Sequence, residues 1–263
     1  MAPPSRDELL GIERHLAALP VHSGARLHDD AALGMLLIQG RPAGPGLDYG
    51  AVVRWPTDGW RDRLDAFARA EREAGAWPSL LLAEGLAEPD GLEAGLAESG
   101  WSVVGWETIL WTRYPAVVPH LDPTLRIEAV TDRSAAEHEA LERLIFGLPA
   151  TSTPFRVEGL RAGLADGTLR AFLVRSHGEP VAAARLSLTD GLAGLYAVGV
   201  APHRRRQGLG LLITTVATRA GLASGRKLVW LSVEDGNDGA RAMYESVGYR
   251  PAFRWRRWLA PPR

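Results

Sequence analysis

The sequence predicts an α/β (α+β) chain of 263 residues made of two similar halves, and three observations predict it. Apolar residues at helical spacing alternate with short runs rich in Val, Leu and aromatic residues. Each half ends in a similar phrase, LEAGLAESGWSVVGWETILW at Leu92 to Trp111 and ARAMYESVGYRPAFRWRRWL at Ala240 to Leu259. Between the halves, Pro115 to Pro123 holds three prolines in nine residues without periodicity and reads as a linker. The expected division is 1–118 and 119–263.

Placing Gly100 on Gly248 aligns the halves at an offset of 148. Ala94 then meets Ala242, Leu96 meets Tyr244, and Trp101 meets Tyr249. Leu80 to Ala83 falls on Leu228 to Leu231, and the helix-like stretch Trp60 to Ala74 falls on Gly208 to Leu222. The reading is a diverged internal duplication; two unrelated units of the same common order are the alternative.

The second half is read in order. Leu125 to Ala129 is a strand. Ser134 to Phe146 is a helix with Thr131 or Asp132 as N-cap. A loop with Pro149 and Pro154 leads to a helix near Phe155 to Ala165, which Gly167 stops. Leu169 to Ser176 and Val181 to Leu188 form a hairpin around His177-Gly178-Glu179-Pro180. Asp190-Gly191 turns into the strand Leu195 to Val200. A helix spans Leu209 to Leu222, a strand Lys227 to Val233, and a helix Asp238 to Val247, which Gly248 ends. Tyr249 to Phe253 and Arg254 to Leu259 are expected to form a closing hairpin.

Composition narrows the function classes. Formal net charge is −1, which gives no global pull toward nucleic acid or anionic lipid. There is no cysteine, so disulfides, thiolate nucleophiles and Cys-ligated zinc are excluded. Met1 to Glu8 has no apolar signal core, and no run of about 18 apolar residues occurs. A cytoplasmic protein with no membrane or nucleic-acid partner is expected. Lys227 is the only lysine, so an arginine cluster is weaker evidence here than usual.

The most informative stretch is Val198-Gly-Val-Ala-Pro-His-Arg-Arg-Arg-Gln-Gly-Leu-Gly210, between a strand and a helix. A glycine-rich strand-to-helix turn directs backbone N–H groups into one space at the positive end of a helix dipole. That suits a phosphate or pyrophosphate. A solvated basic turn is the plainer reading of Arg204 to Arg206. Thr57 to Asp62, opposite this turn at the same offset, has no paired glycines. A second motif leads into the last helix, where Asn237 or Asp238 caps and Ala240, Tyr244 and Gly248 share one face.

Together, Val198-x-Val200-x-Pro202-x-x-Arg205-x-x-Gly208-x-Gly210 and Asn237-x-x-Ala240-x-x-x-Tyr244-x-x-x-Gly248-Tyr249 resemble the GNAT superfamily of acyl-CoA N-acyltransferases. The close match covers about 195–250. The resemblance implies two such domains in tandem, each a mixed, mostly antiparallel sheet flanked by helices. The first would be a degenerate copy without a CoA motif. It implies acetyl-CoA, or another acyl-CoA, as co-substrate, and no metal. Val198, Gly199 and Val200 would hold the pantetheine arm where their strand splays from the strand at 228–233. The amides of Arg205, Arg206, Gln207, Gly208, Leu209 and Gly210 would take the pyrophosphate. Asn237 and Ala240 would line the arm, and Tyr244 would donate to the departing sulfur.

An amine must be neutral to attack, so a base or water relay is expected. Some members carry a glutamate twelve residues before the tyrosine; here that residue is Ser232. Glu234 and Tyr196 are the remaining candidates, and no base is assigned. The acceptor groove is expected between the halves, beside the loop Gly147 to Phe155. The acceptor itself is unnamed, and either a monomer or a homodimer is allowed. A non-catalytic acyl-CoA-binding or regulatory module is the second reading. A P-loop enzyme is a poor third, because no Lys-Ser or Lys-Thr follows the glycines.

Overall fold

A computed structural model describes residues 2–40, 48–115, 117, 122–189 and 191–262. Most of the expected linker, and Asp190 of the expected turn, lie outside the described residues. The chain divides into two compact units, one of residues 1–109 and 252–263, the other of 110–251.

In the first unit, α1 (Arg6–Ala18) opens on a capping box in which Ser5 and Glu8 satisfy each other's backbone N–H groups. Strands β1 (Arg26–Asp30), β2 (Met35–Gln39) and β3 (Tyr49–Ala51) follow. Next come α2 (Trp60–Glu73), β4 (Ser79–Ala83), α3 (Leu92–Glu98) and β5 (Ser102–Thr112), within which the boundary between the units falls.

In the second unit the elements are β6 (Leu125–Ala129), α4 (Ala135–Phe146), α5 (Thr153–Asp166), β7 (Leu169–Ser176), β8 (Glu179–Thr189), β9 (Leu192–Val200), α6 (Leu209–Ala223), β10 (Val229–Glu234) and α7 (Asp238–Val247). Thr131 caps a short 3-10 turn, Asp132–Ser134, that leads into α4, so the helix proper starts one residue later than expected.

The last element is β11 (Arg250–Leu259), a single strand where the sequence suggested a hairpin. Nothing between Phe253 and Arg254 reverses a chain. Phe253, Trp255 and Trp258 are buried while Arg254 is exposed, and the run continues as one strand.

The first unit orders its strands β1-β2-β3-β4-β11, and the second β10-β9-β8-β7-β6. The strand pairs β3–β4 and β9–β10 are parallel, as is an isolated bridge between Arg54 and Glu88, and the other recorded pairings within each unit are antiparallel. In the second unit one core joins α6 and α7 to the sheet through Leu186, Leu195, Leu212, Ile213, Leu231 and Val247. A second core joins α4 and α5 to it through Leu141, Leu160, Leu173 and Ala183. Helices thus cover both faces, and the buried strands read as nearly continuous apolar runs.

Candidate functional site

The site grows from a defect in β9. Along β8, Ala183 faces Gly199 but Arg185 faces Tyr196, so Ala184 stands opposite two residues of β9. The extra residue is a β-bulge, and Ala197 within it holds φ +50°. An L-residue seldom adopts that region, and bulges concentrate at functional sites for this reason. On its other edge β9 pairs with β10 only at Ala193–Val229 and Gly194–Trp230. Beyond Gly194 the two parallel strands part, and among the described residues Leu195 to Val200 has no ladder partner on that edge. The splay expected between these strands is present.

The chain then makes a short 3-10 turn at Pro202–Arg204 and enters α6 through Gly208, whose φ is +78° and which offers no side-chain cap. The N–H groups of the first turn of α6 have no intrahelical acceptor, as at any helix start. Here no side chain competes for them, and a Cβ at Gly208 would meet only open space. An uncapped N-terminus beside an open strand edge fits a phosphate-bearing ligand with an amide-containing arm.

The flanking arginines do not all point at that space. Arg204 binds Gln207 Oε1 at 3.1 Å and Ser176 Oγ at 3.1 Å. Arg205 Nε donates to the Val200 carbonyl at 3.3 Å, so its guanidinium lies against the end of β9. Arg206, at φ +63°, and Gln207 are exposed. His177 and His203 are also exposed.

From the other side of the splay comes α7. Asn237 accepts the Ala240 N–H through Oδ1 at 3.2 Å, which makes it the N-cap. Its amide NH₂ is left to donate elsewhere. Ala240 is half-buried on the same helix. One turn further, Tyr244 is buried, and its ring meets Tyr249 edge-on with centroids 6.2 Å apart. Among the described residues its hydroxyl has no hydrogen-bond partner. Burial pushes that phenol up to about 12, so it is a neutral donor at neutral pH.

The two base candidates fall in different settings. Glu234 is exposed at the end of β10. Tyr196 sits one residue before the bulge and packs on the α4/α5 core with its hydroxyl fully buried. That hydroxyl lies beside the Arg185 guanidinium without a well-directed bond, and burial pushes it up to about 12.

Arg185 belongs to a buried network that the sequence reading missed. It donates from Nε to Glu142 Oε1 at 2.7 Å and from Nη2 to Glu142 Oε2 at 2.9 Å. It also contacts Glu139. Arg156 of α5 bridges Glu139, at 2.9 Å, and Glu142. His138 lies 3.6 Å from Glu142 and is held neutral by burial, its pKa lowered to about 3. His138, Glu139 and Glu142 are of metal-ligand type and lie within 4.8 Å of one another. Yet both carboxylates already face two guanidiniums, and the charges cancel, which suits a closed structural network better than a cation. The clue was helical spacing: His138 and Glu142 are four apart, and Glu139 and Glu142 three apart, on the face of α4 that carries Leu141.

The first unit shows what becomes of the same design when it is filled. Gly59 starts α2 with φ +80°, ψ 9°, as Gly208 starts α6 with φ +78°, ψ −3°. Val52, just after β3, holds φ +54°, as Ala197 does in β9. The glycine that starts each helix matches at an offset of 149, one more than the sequence phrases gave, which moves Gly59 rather than Trp60 onto Gly208. Arg61 then stands in place of Gly210 and lies over the Trp60 ring at 4.4 Å. Here β3 and β4 also stop pairing early, at Ala51–Leu81. The gap is closed by Glu88, whose N–H donates to the Val53 carbonyl at 3.0 Å and whose carbonyl accepts from Trp55 at 3.1 Å. Counted from the two bulge-like residues, Val53 and Trp55 correspond to Val198 and Val200. The chain itself occupies in the first unit the strand edge that is open in the second.

Comparisons with known proteins agree with this fold. The family described as "Acetyltransferase (GNAT) family" matches residues 108–249. A GCN5-related N-acetyltransferase from Kribbella flavida superposes with a TM-score of 0.72 at 23% identity, covering 96% of both chains. A tandem GNAT protein from the clavulanic acid biosynthesis pathway gives 0.66 at 17% identity, covering 100% of this chain and 98% of that one. A GCN5-related N-acetyltransferase from Sphaerobacter thermophilus gives 0.64 at 16%, covering 99% and 95%. A search of curated proteins returned no match. Among the described residues no helix is long and apolar enough to cross a membrane. More than half of the sequence fits the family pattern and the whole of it takes the tandem form of that fold, so this chain belongs to the GNAT acetyltransferase family.

Proposed function

We propose that the second unit transfers an acyl group, acetyl in the simplest case, from acyl-CoA to an amine, by direct attack in a ternary complex. The observation that carries this is the open edge of β9 running from the bulge at Ala197 to the uncapped start of α6 at Gly208. Val198, Gly199 and Val200 would hold the pantetheine amides. The N–H groups of Arg206 to Gly210 would take the pyrophosphate, with Arg205 released from the Val200 carbonyl to add charge. Asn237 would donate its amide to the arm, and Ala240 would let it approach α7. The backbone at the bulge would polarise the thioester carbonyl as an oxyanion hole does.

Tyr244 would donate to the departing sulfur. A thiol near pKa ~8.5 is a stronger acid than this phenol, so Tyr244 acts by a hydrogen bond that strengthens as the C–S bond breaks rather than by full proton transfer. Holding both reactants in line supplies much of the rate. The first unit is a structural copy, because Glu88 already uses the groups that an arm would need.

Calorimetric titration with acetyl-CoA should give one site per chain, and thiol should be released with an amine acceptor. Two sites per chain would contradict the closed first unit. No binding at all would overturn the proposal. Tight binding with no turnover on amino-acid, aryl, polyamine, aminoglycoside and peptide acceptors would favour the regulatory reading, toward which the absence of an acid on β9 and of a buried one on β10 points.

A further inference from the structure

The end of α4, which rests on β9, and the loop that follows it carry no charge. Residues 144–155 read Leu-Ile-Phe-Gly-Leu-Pro-Ala-Thr-Ser-Thr-Pro-Phe, twelve uncharged residues in a chain that is 23% charged. The segment is anchored on the strand that carries the site. A Cβ on Gly199 would lie 2.5 Å from Ile145 Cγ2 and 3.0 Å from Phe146 Cζ, so the end of α4 rests on β9 two residues past the bulge. Phe146 is nonetheless 44% exposed. Large apolar side chains left open beside a site are candidates for ligand contact.

Phe146 follows Glu142 by one helical turn on the same face. The two acids of that face, Glu139 and Glu142, are spent on Arg156 and Arg185. Neither is open to anchor an ammonium group or to accept its proton. Ser232 and the exposed Glu234 put no buried carboxylate on β10 either. An alkylammonium ion near pKa ~10.4 is neutral in only about one molecule in 2,500 at pH 7, so an enzyme using one gains greatly from a base.

Resting on the acyl-CoA reading above, we infer that the acceptor is an amine already neutral at the working pH and attached to an aromatic body, an arylamine rather than a polyamine, aminoglycoside or lysine side chain. Its ring would lie against Phe146. Its nitrogen would attack the thioester carbonyl at the bulge. The N–C bond forms, the C–S bond breaks, and one of the two N–H protons ends on the departing sulfur. The step therefore balances without a protein base.

The test uses the full chain with acetyl-CoA and three probes: 4-chloroaniline, 2-phenylethylamine and spermidine. The aniline should have a kcat/KM at least 100-fold above spermidine, with a flat profile from pH 6 to 9. Phenylethylamine shares the apolar body but starts protonated, so its kcat/KM should rise about tenfold per pH unit. Phe146→Asp should lower kcat/KM for the aniline at least tenfold while leaving the acetyl-CoA Kd within twofold. The inference is overturned if spermidine equals or exceeds the aniline, if the aniline profile shows an ionisation near pH 7 that belongs to the protein, or if protein that binds acetyl-CoA does not acetylate the aniline. Failure to bind acetyl-CoA is a separate result, and it removes the acyl-CoA reading along with this one.

Discussion

Replacing Gly208 separates the demands of the fold from those of the ligand. The residue holds φ +78° and its missing Cβ faces open space, so a substitution clashes with nothing in the free protein. The only cost is that of a left-handed L-residue, about 1–2 kcal/mol for Ala and less for Asn, which tolerates this region. In a chain of this size each kcal/mol lowers the melting transition by roughly 2–4 °C. With acyl-CoA bound, the same Cβ would stand where the pyrophosphate meets the helix start. Losing one charge-assisted hydrogen bond costs about 1.5–3 kcal/mol, or roughly ten- to 150-fold in Kd. Gly208→Ala and Gly208→Asn should therefore differ in melting temperature, with Asn nearer the wild type, yet both should bind CoA at least tenfold more weakly by calorimetry. If both variants bind CoA within twofold of wild type, the pyrophosphate does not sit at the start of α6. If affinity tracks melting temperature across the pair, backbone strain alone accounts for the loss.

Tyr244→Phe keeps the edge-on contact with Tyr249 and removes only the hydroxyl; kcat should fall about 10²-fold or more while the acetyl-CoA Kd stays within twofold. Arg185→Met leaves Glu139 and Glu142 sharing one guanidinium in a buried site, and should cost about 3–5 kcal/mol in urea unfolding, much of which Arg185→Met with Glu142→Leu should restore. His138 has a folded pKa of about 3, below its unfolded value, so its contribution is present above pH 6.5 and is lost as pH falls toward 3. Burial raises Glu142, whose contribution runs the opposite way, so the difference between wild type and His138→Gln isolates the histidine. That difference should grow by about one proton's worth of slope below pH 6.5, and parallel stability curves would show that His138 is not buried neutral.

The second unit was legible because its motifs are local. Gly208 and Gly248 must adopt positive φ where a helix begins or ends, and that requirement shows as glycine in the sequence. The bulge left no such mark. Ala197 takes φ +50° with an ordinary side chain, because its conformation is imposed by the pairing of β8 with β9. The network around Arg185 was hidden for a related reason: Glu142 and Arg185 are 43 residues apart, and only the packing of α4 on β8 brings them together. In the first unit Glu88 looks like any loop residue, and its backbone bonds to Val53 and Trp55 carry no sequence signal at all. The expected closing hairpin is absent because nothing between Phe253 and Arg254 turns the chain, and β11 runs on so that its second half, Trp255 to Leu259, pairs with β4.

That last strand has a consequence for how the chain is made. β11 pairs Trp255 to Leu259 with Ala83 to Ser79, and Trp258 and Ala260 complete the apolar core that α2 and α3 begin. The unit begun first in synthesis therefore waits for residues more than 170 positions downstream, a separation that slows closure. Until then β4 presents an unpaired apolar edge, Ser-Leu-Leu-Leu-Ala, of the kind that recruits other strands. A nascent chain halted before residue 250 should associate with itself or with a chaperone. A fragment cut at the linker would carry β11 without its partner.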